Sequence, residues 1–380
     1  MGVESELYIG LISGTSMDAI DCALVDFQAT QPKLLDFLEL PIPLELKATL
    51  LNLCGDGQNQ IEALGTADVM LAKLFSQAAL TILKRNQLST DQIIAIGSHG
   101  QTIRHQPPHT TCSLPFTIQI SDPSTIAELT NITTVADFRS KDIAAGGQGA
   151  PLVPAFHRQI FQSSNADRII LNIGGMSNIT LLKKNSSDII GYDTGPGNVL
   201  MDTWIKANQN KDFDENGQWA SIGNTDQCLL KLLLDENYFR LAAPKSTGRE
   251  LFNELWLKNK LQTFDKTLQP EDIQATLLEL TAETICNAIR AHLLAGEIIV
   301  CGGGARNTQL MNTLQHKLKN FTVMTSTEFG IDGDSIEAIA FAWLAQQAIK
   351  KKPIDFTNIT GASHPVIMGG IYFSENQISI

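Results

Sequence analysis

The chain is poor in the features that would mark it as a secreted, membrane-bound or nucleic-acid-binding protein. Its six cysteines (Cys22, Cys54, Cys112, Cys228, Cys286 and Cys301) are scattered over 380 residues with no CxxC pair. That spacing suits neither a zinc site nor a disulfide framework, so free thiols in a reducing cytosol are expected. No apolar run reaches the ~18 residues of a membrane span, and the first residues lack the basic stretch and apolar core of a secretory signal. A cytoplasmic protein without a membrane partner is therefore expected, and the acceptor triplets at Asn131, Asn178, Asn185 and Asn358 read as chance. Positive charge is scarce: 28 Lys and Arg face 40 Asp and Glu, a net charge of −12. A field of that sign opposes nucleic acid and anionic lipid, yet leaves room for a small anion held by a few local donors.

What the chain does have is apolar content, 43% against 18% charged residues, enough for large cores. Its length suggests two or three domains. Residues 9–26 read IGLISGTSMDAIDCALVD. Two apolar runs of strand character, 7–12 and 20–25, enclose a turn of glycine and hydroxyls at 13–16. Such a turn offers several donors to one anion, with Asp18 and Asp21 at its exit. Carboxylates beside a phosphate imply an intervening cation, which suggests Mg²⁺. An ordinary polar hairpin remains the alternative. A third strand over 26–40 and a long helix over 61–86 follow, with apolar residues at helical spacing.

A short strand at 93–96 runs into the polar sequence GSHGQTIRH at 97–105. Ligands of open α/β sheets bind at such strand ends, making His99, Gln101, Arg104 and His105 substrate candidates, with a solvated loop as the alternative. A strand at 116–120 precedes Asp122-Pro123, an N-cap with proline at N1. A strand at 133–136 ends before the glycine-rich bend 144–151, which reads as a domain boundary and hinge.

The second half repeats the opening pattern. A strand at 168–173, a turn at 174–178, a returning strand at 179–183 and a third strand at 189–193 form a weak internal repeat. The third strand ends in Asp193-Thr194-Gly195-Pro196-Gly197-Asn198, where Asp193 is either a cleft-facing carboxylate or an Asx-turn residue. Helices are expected over 198–207 and 273–294. Residues 244–250 (PKSTGRE) fit either an anion site or a helix start, and the cap reading is favoured. A strand at 297–300 meets Cys301-Gly302-Gly303-Gly304-Ala305-Arg306-Asn307, a glycine junction that opens the helix 308–318 and lets a ligand lie against the backbone. Its spacing is neither GxGxxG nor GxxxxGK[ST]. A strand at 321–324 precedes the last helix, for which Asp334 reads as N-cap and Glu337 as its N3 partner.

Glycine and hydroxyl hairpins opening each half, an acidic residue after the second half's third strand, and a late strand–GGG–helix resemble the actin/hexokinase/Hsp70-type ATPases. More specifically, the chain resembles the anhydro-N-acetylmuramic acid kinase family. The resemblance is carried by SGTSMDAID (13–21), GSHGQTIRHQP (97–107), DFRSKDIAAGGQGAPLVPAFH (137–157), LNIGGMSNIT (171–180), DTGPGNVLMD (193–202), PKSTGRE (244–250), CGGGARN (301–307) and EAIAFAWLA (337–345). Ala19, where glycine is expected, and Ser121 depart from the pattern.

The resemblance implies an α/β fold of two actin-like (ribonuclease H-like) domains, each a mixed sheet flanked by helices, with an ATP cleft between them. The expected domains are 1–137 with 355–380, and 138–354. The implied activity is ATP-dependent hydrolytic opening of the 1,6-anhydro ring of anhydro-N-acetylmuramic acid and phosphorylation of O6 to N-acetylmuramic acid 6-phosphate, in cell-wall recycling. ATP and Mg²⁺ are the implied cofactors and a homodimer is compatible. Asp193 is implied as the base, and Glu337 as a second catalytic carboxylate at the cleft, with its capping role as the alternative. Gly14, Thr15, Ser16, Met17, Asp18, Ala19, Ile20, Asp21, Gly174, Gly175, Gly302, Gly303, Gly304 and Asn307 are implied at the nucleotide. Asp18 and Asp21 would hold Mg²⁺, directly or through water. His99, Gln101 and Arg104, with Asp193, would meet the sugar. Two alternatives stay open: another actin-fold sugar kinase acting on a plain hydroxyl, and a nucleotide-gated non-enzymatic protein of this fold.

Overall fold

A computed structural model describes residues 5–14, 17–29, 31–55, 60–108, 114–186, 188–243, 245–249 and 251–375. Thr15 and Ser16 therefore lie outside the described residues. The chain divides into two compact units, 1–160 with 335–380, and 161–334.

A mixed sheet, its central strands buried on both faces, builds the first unit. Strand Leu7–Ser13 pairs antiparallel with Ala19–Asp26, which pairs antiparallel with Lys33–Pro41. On its other side Leu7–Ser13 pairs parallel with Ile93–Ser98, which pairs parallel with Thr134–Ala136. Gly370–Tyr372 closes the edge of this six-stranded sheet. One face carries Leu7, Ile9, Leu11, Ile20, Cys22 and Leu24, packed with Leu71, Phe75 and Ile82 of the helix Gln60–Arg85. That helix has the length and apolar content of a membrane span, and half of its apolar side chains are spent on this core.

The other face receives the helix Ile336–Ile349, apolar nearly all round and buried along its length. It lies so close that a Cβ on residue 10 would stand 1.8 Å from the Ala338 carbonyl oxygen, and one on residue 97 would stand 2.0 Å from that of Phe341. Glycine at both positions is what lets a helix backbone rest on a strand backbone.

The second unit repeats the plan. Arg168–Ile173, Met176–Leu182 and Ile189–Pro196 form an antiparallel meander, and Gly296–Cys301 and Phe321–Thr325 add parallel strands beside Arg168–Ile173. The strand order, third–second–first–fourth–fifth, matches the first unit's sheet without its edge strand Gly370–Tyr372. Three antiparallel strands followed by two parallel ones, twice, is the ribonuclease H-like arrangement expected from the sequence, and the internal repeat is real at the level of topology. Helices Val199–Gln209 and Pro270–Arg290 supply Leu200, Met201, Leu277, Leu280 and Ile285 to its core.

The domain limits require correction. The first unit runs on to residue 160 and regains the chain at 335, rather than ending at 137 and resuming at 355. The glycine-rich stretch 144–151 is no boundary. It follows the helix Phe138–Ala144 and precedes Val153–Phe161, neither of which the sequence suggested. It is tied into the first unit by Asp142, whose carboxylate accepts from the Gly149 amide at 2.7 Å and the Thr360 hydroxyl at 2.7 Å. The Gln148 amide donates to the Thr360 carbonyl at 2.9 Å. The resumption at 335 follows from Gly10 and Gly97, which commit the last helix to this sheet.

Gly97→Ala is expected to lower unfolding stability by about 1–3 kcal/mol, the usual cost of overpacking. Gly65→Ala, in the helix Gln60–Arg85 with no atom within 4 Å of its added Cβ, should instead gain about 0.5–1 kcal/mol. Urea midpoints of the two variants measure the contrast.

Candidate active site

The first hairpin turns tightly. The Met17 amide donates to the Gly14 carbonyl at 3.1 Å, and Met17 takes a left-handed φ of 56°. An added Cβ on Gly14 would meet nothing within 4 Å among the described residues. Ile20 and Ala19 lie in the returning strand, Ile20 in the core. Asp18 is paired with Lys47 of the helix Leu44–Cys54. Asp21 sits between buried Ile20 and Cys22, so by strand alternation it projects to the opposite face, the one covered by Ile336–Ile349. Its register partner there is Ile12, two positions beyond Gly10.

The polar run after Ile93–Ser98 is not a solvated loop. Gln101–Gln106 pairs antiparallel with Phe116–Ile120 in a two-stranded sheet. Gln101 is buried and accepts from the Ser13 hydroxyl at 2.6 Å. Arg104 donates to the Gly55 carbonyl at 2.9 Å. His105 contacts the Thr117 hydroxyl at 3.0 Å, and burial with the nearby Arg139 charge lowers its pKa to about 4.

His99 is buried against the Phe341 ring, 4.6 Å between centroids. Its Nδ1 lies 2.9 Å from the Gly100 carbonyl and donates to it, which leaves Nε2 to accept from Arg139 Nε at 2.9 Å. Burial first, and the Arg139 charge second, hold the ring neutral far below its ordinary pKa. Arg139 Nη1 also donates to the Gly149 carbonyl at 2.8 Å. Glu337 feels the same guanidinium; burial raises its pKa and Arg139 opposes the rise. The capping role read for Asp334 and Glu337 is not observed. Ser335 occupies the N-cap without a side-chain cap bond, and Asp334 pairs with Arg306. Arg139 was not singled out from the sequence; its signal was the DFR of the motif at 137–139.

In the second unit the turn at Gly174-Gly175 is welded to the next helix. The amides of Gly197, Asn198 and Val199 donate to the Gly175, Gly174 and Gly175 carbonyls at 2.8, 2.8 and 3.1 Å. Gly175, like Gly14, is open on its Cβ side. At the end of the third strand the register slips between Asp193 and Gly195 opposite Asn178 and Ser177, a bulge that re-aims the Asp193 side chain. Asp193 Oδ2 accepts from the Thr247 amide at 2.9 Å and its carbonyl accepts from the Tyr238 hydroxyl at 2.6 Å. A segment more than fifty residues away thus holds the carboxylate.

That segment, 245–249, is neither helix nor strand, so the cap reading of 244–250 fails there; Pro244 and Glu250 lie outside the described residues. The next helix begins at Glu254 on an Asn253 cap. Lys245 Nζ donates to the Tyr238 carbonyl and sits 4.7 Å over its ring. Burial lowers its pKa, opposed by the Asp193 charge.

The three glycines at the late junction divide their labour. A Cβ on Gly302, at φ 78°, would meet Asn172 Oδ1 at 2.3 Å, and one on Gly304 would meet Ile173 Cγ2 at 2.3 Å; Gly303 has only Asn198 Nδ2 at 3.9 Å. Gly302 and Gly304 seat the turn on the strand, and Gly303 is the one open to a ligand. Asn307 caps the helix Thr308–Lys317 by accepting from the Leu310 amide at 3.0 Å.

The family model for anhydro-N-acetylmuramic acid kinase matches residues 6–374. The chain belongs to this family. A protein from Saccharophagus degradans named anhydro-N-acetylmuramic acid kinase is 49% identical over 370 residues, 97% of this chain and all of that protein. One of the same name from Coxiella burnetii is 50% identical over 372 residues, 97% of this chain and 98% of that protein. A third, from Shewanella strain MR-4, is 50% identical over 363 residues.

A kinase of this family uses ATP, and the two carboxylates expected to hold Mg²⁺ are not equivalent. Asp18 is exposed and paired with Lys47. Asp21, half-buried and directed to the other face, suits a hydrated Mg²⁺, which needs only one or two carboxylates beside substrate phosphates.

Asp202, in the first turn of Val199–Gln209, has its pKa pushed up to about 7 by burial, with Arg249 opposing and Asp214 and Asp212 adding to the rise. Unfolded, the carboxyl titrates near ~3.9. The folded state therefore holds a proton that the unfolded state has released between these values. The contribution to stability is full below the unfolded pKa and is lost as pH rises through the folded one. Asp202→Asn should raise the melting temperature relative to wild type more at pH 8 than at pH 4, as paired thermal melts would record.

Proposed function

We propose that this protein is an ATP-dependent sugar kinase that adds water across the 1,6-anhydro bridge of anhydro-N-acetylmuramic acid and phosphorylates the freed O6, acting in the cytoplasm on recycled cell-wall sugar. Family membership over nearly the whole chain supports the substrate class. The observation that carries the chemistry is Asp193, a carboxylate three residues before the end of Ile189–Pro196, beside a register slip and bonded to a backbone amide.

Asp193 takes a proton from water as the water oxygen bonds to the anomeric carbon. The bond from that carbon to O6 breaks, and its electron pair stays on O6. O6 then bonds to the γ-phosphorus while the bond to the β–γ bridging oxygen breaks and ADP departs. Mg²⁺, when bound at Asp21, would neutralise charge on the transferring phosphoryl group. The open turns at Gly14 and Gly175 are assigned to phosphate, and Gly303 to the nucleoside.

On the sugar we assign Arg139 to the lactyl carboxylate, because its guanidinium is fixed in orientation by bonds from Nε to His99 and from Nη1 to the Gly149 carbonyl, and a planar cation suits a planar anion. Glu337, beside it, is assigned to the sugar hydroxyls. His99 and Gln101 support these groups rather than replace them, since their own bonds are to Arg139 and Ser13.

In ¹⁸O-water the label should appear at the anomeric oxygen and not in the phosphoryl group; an unlabelled sugar product would reduce the activity to transfer onto a plain hydroxyl. Asp193→Asn should lower kcat about 10²–10⁴-fold, the range of general-base catalysis, with ATP affinity nearly unchanged by calorimetric titration. Turnover near wild type would remove Asp193 from the base role.

A further inference from the structure

The motif at 244–250 finds no place in the phosphate or nucleoside assignments, yet its described residues are organised around Asp193. The Asp193 amide donates to the Lys245 carbonyl at 3.1 Å, and the Thr247 amide returns a bond to Asp193 Oδ2 at 2.9 Å. Tyr238 donates its hydroxyl to the Asp193 carbonyl, and Lys245 Nζ bonds the Tyr238 carbonyl at 3.1 Å. Residues 238–247 thus engage the amide, the carbonyl and one carboxylate oxygen of a single aspartate.

One group in this cluster is left over. Thr247 Oγ1 is buried and has no hydrogen-bond partner in the protein among the described residues. A buried hydroxyl without a partner is costly, and the same residue's amide is what fixes the base. A hydroxyl in that position is complementary to the species the base acts on, which carries both a proton to give and lone pairs to accept.

We propose that Thr247 is a further substrate-contacting residue of this reaction, its amide orienting the Asp193 carboxylate and its hydroxyl bonding the attacking water or the sugar oxygen beside it. The inference rests on Asp193 as base to an anhydro-sugar. Thr247→Val removes only the hydroxyl's bonding and keeps both the amide and the volume; Thr247→Ser keeps the hydroxyl.

In the full chain, with ATP, Mg²⁺ and anhydro-N-acetylmuramic acid, Thr247→Val should lose about tenfold in kcat/KM for the sugar, the worth of one neutral hydrogen bond. The KM for ATP and the melting temperature should hold, and Thr247→Ser should stay near wild type. If the valine variant does not fold, Thr247→Ala provides the truncation. Wild-type kcat/KM in the truncated variant, or equal losses in the serine and valine variants, overturns the inference while leaving the kinase reading intact. A wild-type chain that releases no ADP in response to the sugar removes the reading and the inference with it.

Discussion

The contact of the Ile336–Ile349 backbone with Gly10 and Gly97 is the constraint on which the first unit depends. Helices usually stand off a sheet by the length of two side chains. Here carbonyl oxygens of Ala338 and Phe341 occupy the space of two missing Cβ atoms. The helix start is thereby held over the end of Leu7–Ser13, and with it Glu337. Phe341 supplies the ring on which His99 rests, and His99 in turn presents a lone pair to Arg139. A chain of short-range contacts thus converts two absent side chains into the placement of a carboxyl and a guanidinium.

The second unit solves the equivalent problem with hydrogen bonds. Its first turn is anchored by amides at the start of Val199–Gln209, and its strand-end aspartate by an irregular segment. The two glycine-lined turns correspond in topology but not in how they are secured.

Much of this was legible in the residues because it is local. The helix read over 61–86 is Gln60–Arg85, and Asp122 caps its helix by accepting from Ser124 and Thr125 amides. The order strand, glycine-and-hydroxyl turn, strand, opening each half, exposed the repeat. What was not legible depends on partners distant in sequence. Nothing near Thr247 signals Asp193, and nothing near Gly149 signals Thr360. Around 138–161 the glycine-rich stretch concealed two flanking helices. Asp334 and Glu337 matched a local capping pattern that tertiary pairing overrode: Arg306 took the first, and burial beside Arg139 took the second.

The bond from Thr360 to Asp142 spans 218 positions, and it bears on the order in which the molecule is made. Arg139 depends on the Gly149 carbonyl, Gly149 on Asp142, and Asp142 on a hydroxyl near the end of the chain. The covering helix Ile336–Ile349 is also translated late. On the ribosome, the first unit's sheet must therefore wait with one face bare while the whole of 161–334 is synthesised. The contiguous second unit is the first whose residues are all available to fold as a unit. The guanidinium assigned to the sugar has its full set of supports only once Thr360 has been made.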